Sequence, residues 1–219
     1  MRINKFIAQA TGMSRRAADT AITDGRVTVD GYPATAGMLV ADSTIVTLDG
    51  KELERPQSVT TIMLNKPAGY VCSRKGQGSQ TIYDLLPEFL HQLKPVGRLD
   101  KDSSGLLLLT SNGALAQELT HPSYEKIKEY LVVLNKPLTE AHETRINQDG
   151  VKLEDGISKF ALAAEAKDRQ IWRITMHEGR NRQIRRTFET LGYTVLGLHR
   201  TVFGPYVLKD LKLANYREI

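Results

Sequence analysis

Asp100 and Asp102 stand two residues apart in GRLDKDSSGLLLLT, residues 97–110, between an arginine and a Ser-Ser-Gly turn that leads into four leucines. Carboxylates so spaced admit three roles. They can be turn residues whose side chains accept hydrogen bonds from nearby backbone N–H groups. They can act as a pair on phosphate, the first as nucleophile and the second as acid or base, with Mg²⁺ bound nearby. Or one of them, at the edge of a buried strand, can serve as nucleophile or base with no metal. Other reactive groups are sparse. Cys72 is the only cysteine, which excludes an internal disulfide and a Cys-based zinc site. His91, His121, His142, His177 and His199 lack metal-ligand spacing. There is no Gly-x-Gly-x-x-Gly fingerprint and no Walker loop.

The flanking elements weigh on these alternatives. The Asp-x-Asp-x-Thr box of haloacid-dehalogenase phosphotransferases follows a buried apolar strand. Here HQLKPVGRL leads in and the apolar strand GLLLLT comes after, which disfavours the metal-dependent pair. Upstream, VTTIMLNKPAGYVCS reads as a strand, a Lys66-Pro67 interruption and a second strand, and TIYDLLPEFLHQLKPVG as a short helix and a loop. Downstream, NGALAQELTHP is a short helix, EYLVVL and RQIWRITM are strands, and YTVLGLHRTVFGPY returns to strand and loop. RNRQIRRTFETLG is an amphipathic helix stopped by Gly192. Ile184, Phe188 and Leu191 make its apolar side, which puts Arg185 at the border of that face. Irregular alternation of strands and helices predicts an α+β domain with a mixed, largely antiparallel sheet.

The first fifty residues read as a separate unit. Ile3, Phe6, Ile7 and Ala10 have helical spacing, and Ser14 N-caps a second helix stopped by Gly25. RVTVDG and STIVTLDG follow as short strands ending in turns. Such a unit is expected to hold little core of its own. Residues 51–58, KELERPQS, read as a linker, giving domains 1–50 and 59–219.

The 219 residues carry 30 Lys and Arg against 25 Asp and Glu, a formal charge of +5 that favours an anionic partner. Basic residues concentrate at two places. Residues 1–26 contain Arg2, Lys5, Arg15, Arg16 and Arg26 against Asp19 and Asp24. Near the C-terminus, Arg180, Arg182, Arg185, Arg186 and Arg200 oppose Glu178 and Glu189. The N-terminus has no apolar run of signal-peptide length, and no stretch approaches the ~20 apolar residues that span a bilayer. A cytoplasmic protein without a membrane partner is expected.

RINKFIAQATGMSRRAADTAITDGRVTVDG resembles the S4 RNA-binding domain over about residues 1–48. VGRLDKDSSGLLLLT resembles the aspartate motif of pseudouridine synthases, MLNKPAGYVCS their Asn-Lys-Pro segment and KEYLVVL their Lys-x-Tyr strand. EGRNRQIRRTFETLGYTVLGLHRTVFGP resembles the C-terminal motif of the RsuA/RluB/RluE/RluF branch, with Thr187 where that branch often has Met. The resemblance covers nearly the whole chain, with the motifs in the family's order.

The resemblance implies an S4-like domain followed by a pseudouridine synthase domain. It implies isomerisation of uridine in RNA without cofactor or metal, because no redox change or hydrolysis occurs. Asp100 is then the nucleophile, with attack at C1′, attack at C6 and abstraction of the C2′ proton all open to it. Arg185 is its cationic partner, Tyr130 stacks on the flipped base, and Asp102 remains a turn residue. Arg2, Lys5, Arg15, Arg16, Arg26, Arg98, Lys128, Arg180, Arg182 and Arg186 are expected to contact RNA. The expected partner is an rRNA hairpin or pre-ribosomal particle, with tRNA within the branch's range, and the expected state is a monomer. A non-catalytic RNA-binding protein is the main alternative.

Overall fold

The computed structural model describes residues 1–55 and 59–219, the side chain of Pro122 excepted. The chain forms two compact units, Met1–Thr60 and Thr61–Ile219.

The first unit packs α1 (Ile3–Thr11) and α2 (Arg15–Thr23) with a four-stranded antiparallel sheet. Its strands are β1 (Val27–Val29), β2 (Tyr32–Pro33), β3 (Val46–Leu48) and β4 (Lys51–Glu52), in the order β2-β1-β3-β4. Ser14 caps α2 by accepting from Ala17 N at 3.0 Å. The unit is better packed than its length suggests. The apolar stripes of both helices meet over β1, and Ile3, Ile7, Ala18 and Val27 are fully buried beside Phe6 and Ile22. The segment 51–58 begins as strand β4, paired to β3 through Thr47↔Glu52 and Leu48↔Lys51. Leu53 N then donates to Val46 O at 2.8 Å, and Arg55 lies over the Phe6 ring at 5.3 Å. Residues 51–55 therefore fold with the first unit. Residues 56–58 of that segment lie outside the described residues.

In the second unit the strands are β5 (Thr61–Lys66), β6 (Lys94–Val96), β7 (Ser104–Thr110), β8 (Lys128–Leu134), β9 (Val151–Leu153), β10 (Gly156–Ser158), β11 (Ala161–Ala164), β12 (Ile171–Met176), β13 (Val195–Phe203), β14 (Tyr206–Val207) and β15 (Tyr216–Glu218). Helices α3 (Gly113–Thr120), α4 (Glu140–Thr144) and α5 (Gln183–Thr190) accompany them. Nine strands make one sheet along β11-β12-β8-β13-β7-β5-β15, with β14 on β13 and β6 on β7. β9 and β10 form a separate hairpin.

Strand β7 is the centre of this sheet, and its leucine run explains why. Side chains alternate faces along a strand. Leu107 and Leu109 enter a core shared with Trp172 and Phe188, while Leu106 and Leu108 enter a second core with Phe203 and Leu119. All four are fully buried, and each such burial contributes about 1.5–3 kcal/mol. The expected second strand in GYVCS is reduced to a single bridge, Val71↔Thr81. Gly69, at φ 96, turns the chain there, and its N–H donates to Lys101 O instead of to a ladder.

Among the named strands β7 and β13 form the one parallel pairing, His199↔Ser104 and Arg200↔Gly105. Gly105 allows it. Its φ is +105, and a Cβ there would stand 2.2 Å from Arg200 O and 2.5 Å from Arg200 N. Gly105→Ala is expected to cost at least the ~1–3 kcal/mol of a disfavoured backbone region, with the steric clash added. A melting curve checks this; an unchanged midpoint would contradict the close approach.

Candidate active site

The start of β7 is preceded by a tight turn, 100–103, closed by Ser103 N donating to Asp100 O at 3.1 Å. Lys66, at the end of β5, is fully buried and holds the turn from beneath. Its Nζ donates to Asp100 O at 3.1 Å, Ser103 O at 2.7 Å and Pro67 O at 3.0 Å, using all three of its donors. Burial lowers the Lys66 pKa below its ordinary 10.5. Leu99 N donates to Cys72 Sγ at 3.4 Å on the other side of Asp100. The backbone around Asp100 is thus anchored at three points, while its side chain stays 32% exposed.

Helix α5 brings two arginines to this turn. Arg185, with only 11% of its side chain exposed, donates to Val195 O and to Asp102 O, both at 2.9 Å. Its Nε stands 3.3 Å from Asp102 Oδ2, near enough for an ion pair but not aligned as a hydrogen bond. Burial lowers the pKa of Arg185, against the pull of Asp102. Arg182, with left-handed backbone just before α5, puts its guanidinium across both acids. It donates to Asp102 at 3.0 and 3.1 Å, and lies 3.7 Å from Asp100 Oδ2.

Two expectations change here. The carboxylate that pairs with Arg185 is Asp102, and the cation within ion-pair distance of the Asp100 carboxylate is Arg182. Asp102 is more than a turn residue, since it ties α5 to the turn through two arginines. Burial pushes its carboxyl up, but the Arg182 hydrogen bonds and the charges of Arg185 and Arg182 win and hold it below 3.8. An aspartate with a depressed folded pKa contributes stability above its unfolded pKa, which is lost as pH falls through the folded value. Wild-type stability should therefore drop below about pH 4, and Asp102→Asn should flatten that drop. Urea midpoints at about pH 6 and pH 3 test this; equal acid losses in both proteins would contradict it.

Beside the turn opens a cavity of about 1040 Å³, bordered by Asp100, Tyr130, Arg182, Lys128, Arg98 and Arg180 among others. Seven Lys and Arg side chains line it against three Asp and Glu, so it favours an anionic ligand. Tyr130, 8% exposed, projects from β8 directly opposite Arg200 on β13. Lys128 donates to Lys126 O at 3.1 Å and His177 O at 2.9 Å. Arg180 and Arg186 are both bound to Asp155, and Arg26 of the first unit is bound to Asp49. Arg2, Arg15 and Arg16 are exposed and Lys5 is half-buried on α1, α2 and the residue before them. Among the described residues no group of three or more His, Cys, Asp or Glu could hold a metal ion, and no helix is long and apolar enough to cross a membrane.

Sequence reasoning passed over Lys66 and undervalued Arg200. The signal for Lys66 was a lysine closing an apolar strand just before proline. Arg200 gave none, because nothing in LHRTVF marks its arginine as buried.

Comparison with known proteins places this arrangement. Residues 60–190 match the RNA pseudouridylate synthase family, and residues 1–46 match the S4 domain. The chain is 36% identical over 225 residues to the ribosomal large subunit pseudouridine synthase B of Bacillus subtilis, covering all of this chain and 91% of that one. It is 37% identical over 229 residues to the protein of that name in Pseudomonas aeruginosa, where it spans 59% of the relative's length. A crystal structure of a pseudouridylate synthase superposes with a TM-score of 0.69 at 32% identity, over all of this chain and 96% of that one.

Proposed function

The chain belongs to the RNA pseudouridylate synthase family, and from that premise we propose that it isomerises a uridine of ribosomal RNA to pseudouridine in the cytoplasm, with Asp100 as nucleophile. The observation that carries this reading is one cavity that holds a carboxylate, a buried tyrosine and a surplus of positive charge. In the reaction the N1–C1′ bond breaks, the base turns, C5 bonds to C1′, the C5 proton leaves and N1 takes up a proton. Atoms and electrons balance within the nucleotide, so neither oxidant nor water is consumed.

Each group has a place in that sequence. Asp100 is placed to act as the nucleophile, with the Arg182 guanidinium 3.7 Å from its Oδ2. Tyr130 presents a ring on which an extruded base can stack. Extrusion of a nucleotide costs a few kcal/mol, which remote phosphate contacts offset. Arg98 and Lys128 are suited to those contacts at the cavity, and Arg2, Lys5, Arg15 and Arg16 on the first unit. Arg180, Arg182, Arg186 and Arg26, already paired with carboxylates, would reach RNA only in competition with those pairs.

Mapping pseudouridines by carbodiimide primer extension in cells with and without the gene tests the rRNA assignment. One rRNA stop should vanish in its absence; an unchanged rRNA map would sink it. A truncated chain lacking residues 1–58 should still fold, because the cores around β7 draw only on the second unit. Its RNA affinity should depend less steeply on salt, by about 0.7–0.9 in log–log slope per lost phosphate contact. An unchanged slope would show that the first unit does not touch RNA.

A further inference from the structure

We propose that Arg200, together with Lys128, binds a phosphodiester of the RNA next to the target uridine. Arg200 is then a substrate-contacting residue of this site. The proposal rests on the reading of the cavity as the uridine site and adds to it a specific anion position.

Arg200 is 3% exposed, yet it borders the cavity that contains Asp100 and Tyr130. Its Nε donates to Leu106 O at 2.8 Å. Its Nη2 is buried and has no acceptor among the described residues. The thirteen ion pairs found among the described residues include none to Arg200. A guanidinium buried without a counter-charge is costly, and an N–H left without an acceptor adds to that cost. Contrast Arg180 and Arg186, which pair with Asp155, and Arg182 and Arg185, which pair with Asp102. Of these five arginines only Arg200 has no carboxylate within ion-pair distance among the described residues, and it lines the cavity.

A second cation adjoins it. The Arg200 guanidinium stands 4.7 Å from the centre of the Phe203 ring, and Lys128 Nζ stands 5.7 Å from the same centre. Two of the three Lys128 donors go to backbone carbonyls, which leaves the third free for a ligand. Burial lowers the Lys128 pKa, and the charge of Arg200 lowers it further, with Glu178 opposing. Two like charges crowded about one ring, with only carbonyls as partners, are arranged for an incoming anion. A uracil ring is neutral, and its only acceptors for these donors are two carbonyl oxygens. A phosphodiester carries a full charge and oxygens that can accept from both cations at once. Because Arg200 lies directly across the ladder from Tyr130, a phosphate held there stands beside a base stacked on that tyrosine.

The test uses the full chain and an rRNA transcript labelled with tritium at uridine C5. Arg200→Met and Arg200→Lys are compared with wild type for melting temperature, RNA affinity at several salt concentrations, and KM and kcat of label release. Arg200→Met should bind more weakly, raise KM, and show a log–log salt slope shallower by about 0.7–0.9, one phosphate contact. Arg200→Lys should recover most of the slope. If Arg200→Met does not fold, Lys128→Met supplies the same slope reading. A folded Arg200→Met with unchanged slope and affinity, reduced only in kcat, would overturn the proposal in favour of a contact to the uracil. A wild type that binds RNA but releases no label would overturn the isomerase reading, on which the substrate role rests.

Discussion

Asp100→Asn is expected to fold, to bind RNA as wild type does, and to release no tritium above background from rRNA labelled at uridine C5. The change keeps size and hydrogen-bonding shape but removes the charge and nearly all nucleophilicity. Loss of a nucleophile of this kind costs on the order of 10⁴–10⁶ in turnover. Folding should survive because the turn is held by its backbone. Lys66 grips Asp100 O and Ser103 O, and neither contact uses the Asp100 carboxylate. Binding should survive because phosphate contacts carry most of the affinity. Normal label release by Asp100→Asn would remove the catalytic assignment. A collapse of its melting temperature would contradict the account of how the turn is built.

Arg185→Ala should lose both activity and stability, whereas Arg182→Ala should lose mainly activity. Arg185 satisfies two backbone carbonyls, Val195 O and Asp102 O, from a nearly buried position. Truncation orphans both, for a cost of about 1–3 kcal/mol in all. The larger penalty of a fully buried ion pair is not expected, because Asp102 keeps 47% of its side chain exposed. Arg182 is 44% exposed, and surface pairs of this type contribute at most about 1 kcal/mol. Without Arg185 nothing ties α5 to the Asp102 carbonyl, and a shift of the turn by about 1 Å can cost some 10²-fold in rate. Melting curves and label release on the two variants test the distinction. Equal melting temperatures would place the two arginines on the same footing and undo it.

Much of this frame could be read from the residue order. The four leucines between turn signals marked a buried strand, and Ser14 marked the start of α2, because each is a local pattern with a local cause. The direction of Arg185 was also legible, from Ile184 and Phe188 on its own helix. What escaped the sequence depends on contacts between distant segments. Asp102 and Arg182 are eighty residues apart, and only the fold makes Asp102 an anchor for α5. Lys66 reads only as an interruption before Pro67 until the fold buries it against the 100–103 turn. Arg200 reads as one basic residue among several until its burial opposite Tyr130 is seen. The N-terminal unit packs a complete core because its two short helices close over β1, which helical periodicity alone does not disclose. The predicted second strand after Pro67 is a single bridge because Gly69 turns the chain toward Lys101.

The most direct measurement is of the product. Purified full-length protein is incubated with rRNA transcripts in the presence of EDTA, the RNA is digested to nucleosides, and uridine and pseudouridine are separated by chromatography. The account predicts that pseudouridine appears at the expense of uridine, with no change in the mass of the RNA. Tight binding to every transcript with no pseudouridine formed in any of them would contradict it and leave an RNA-binding protein without catalysis.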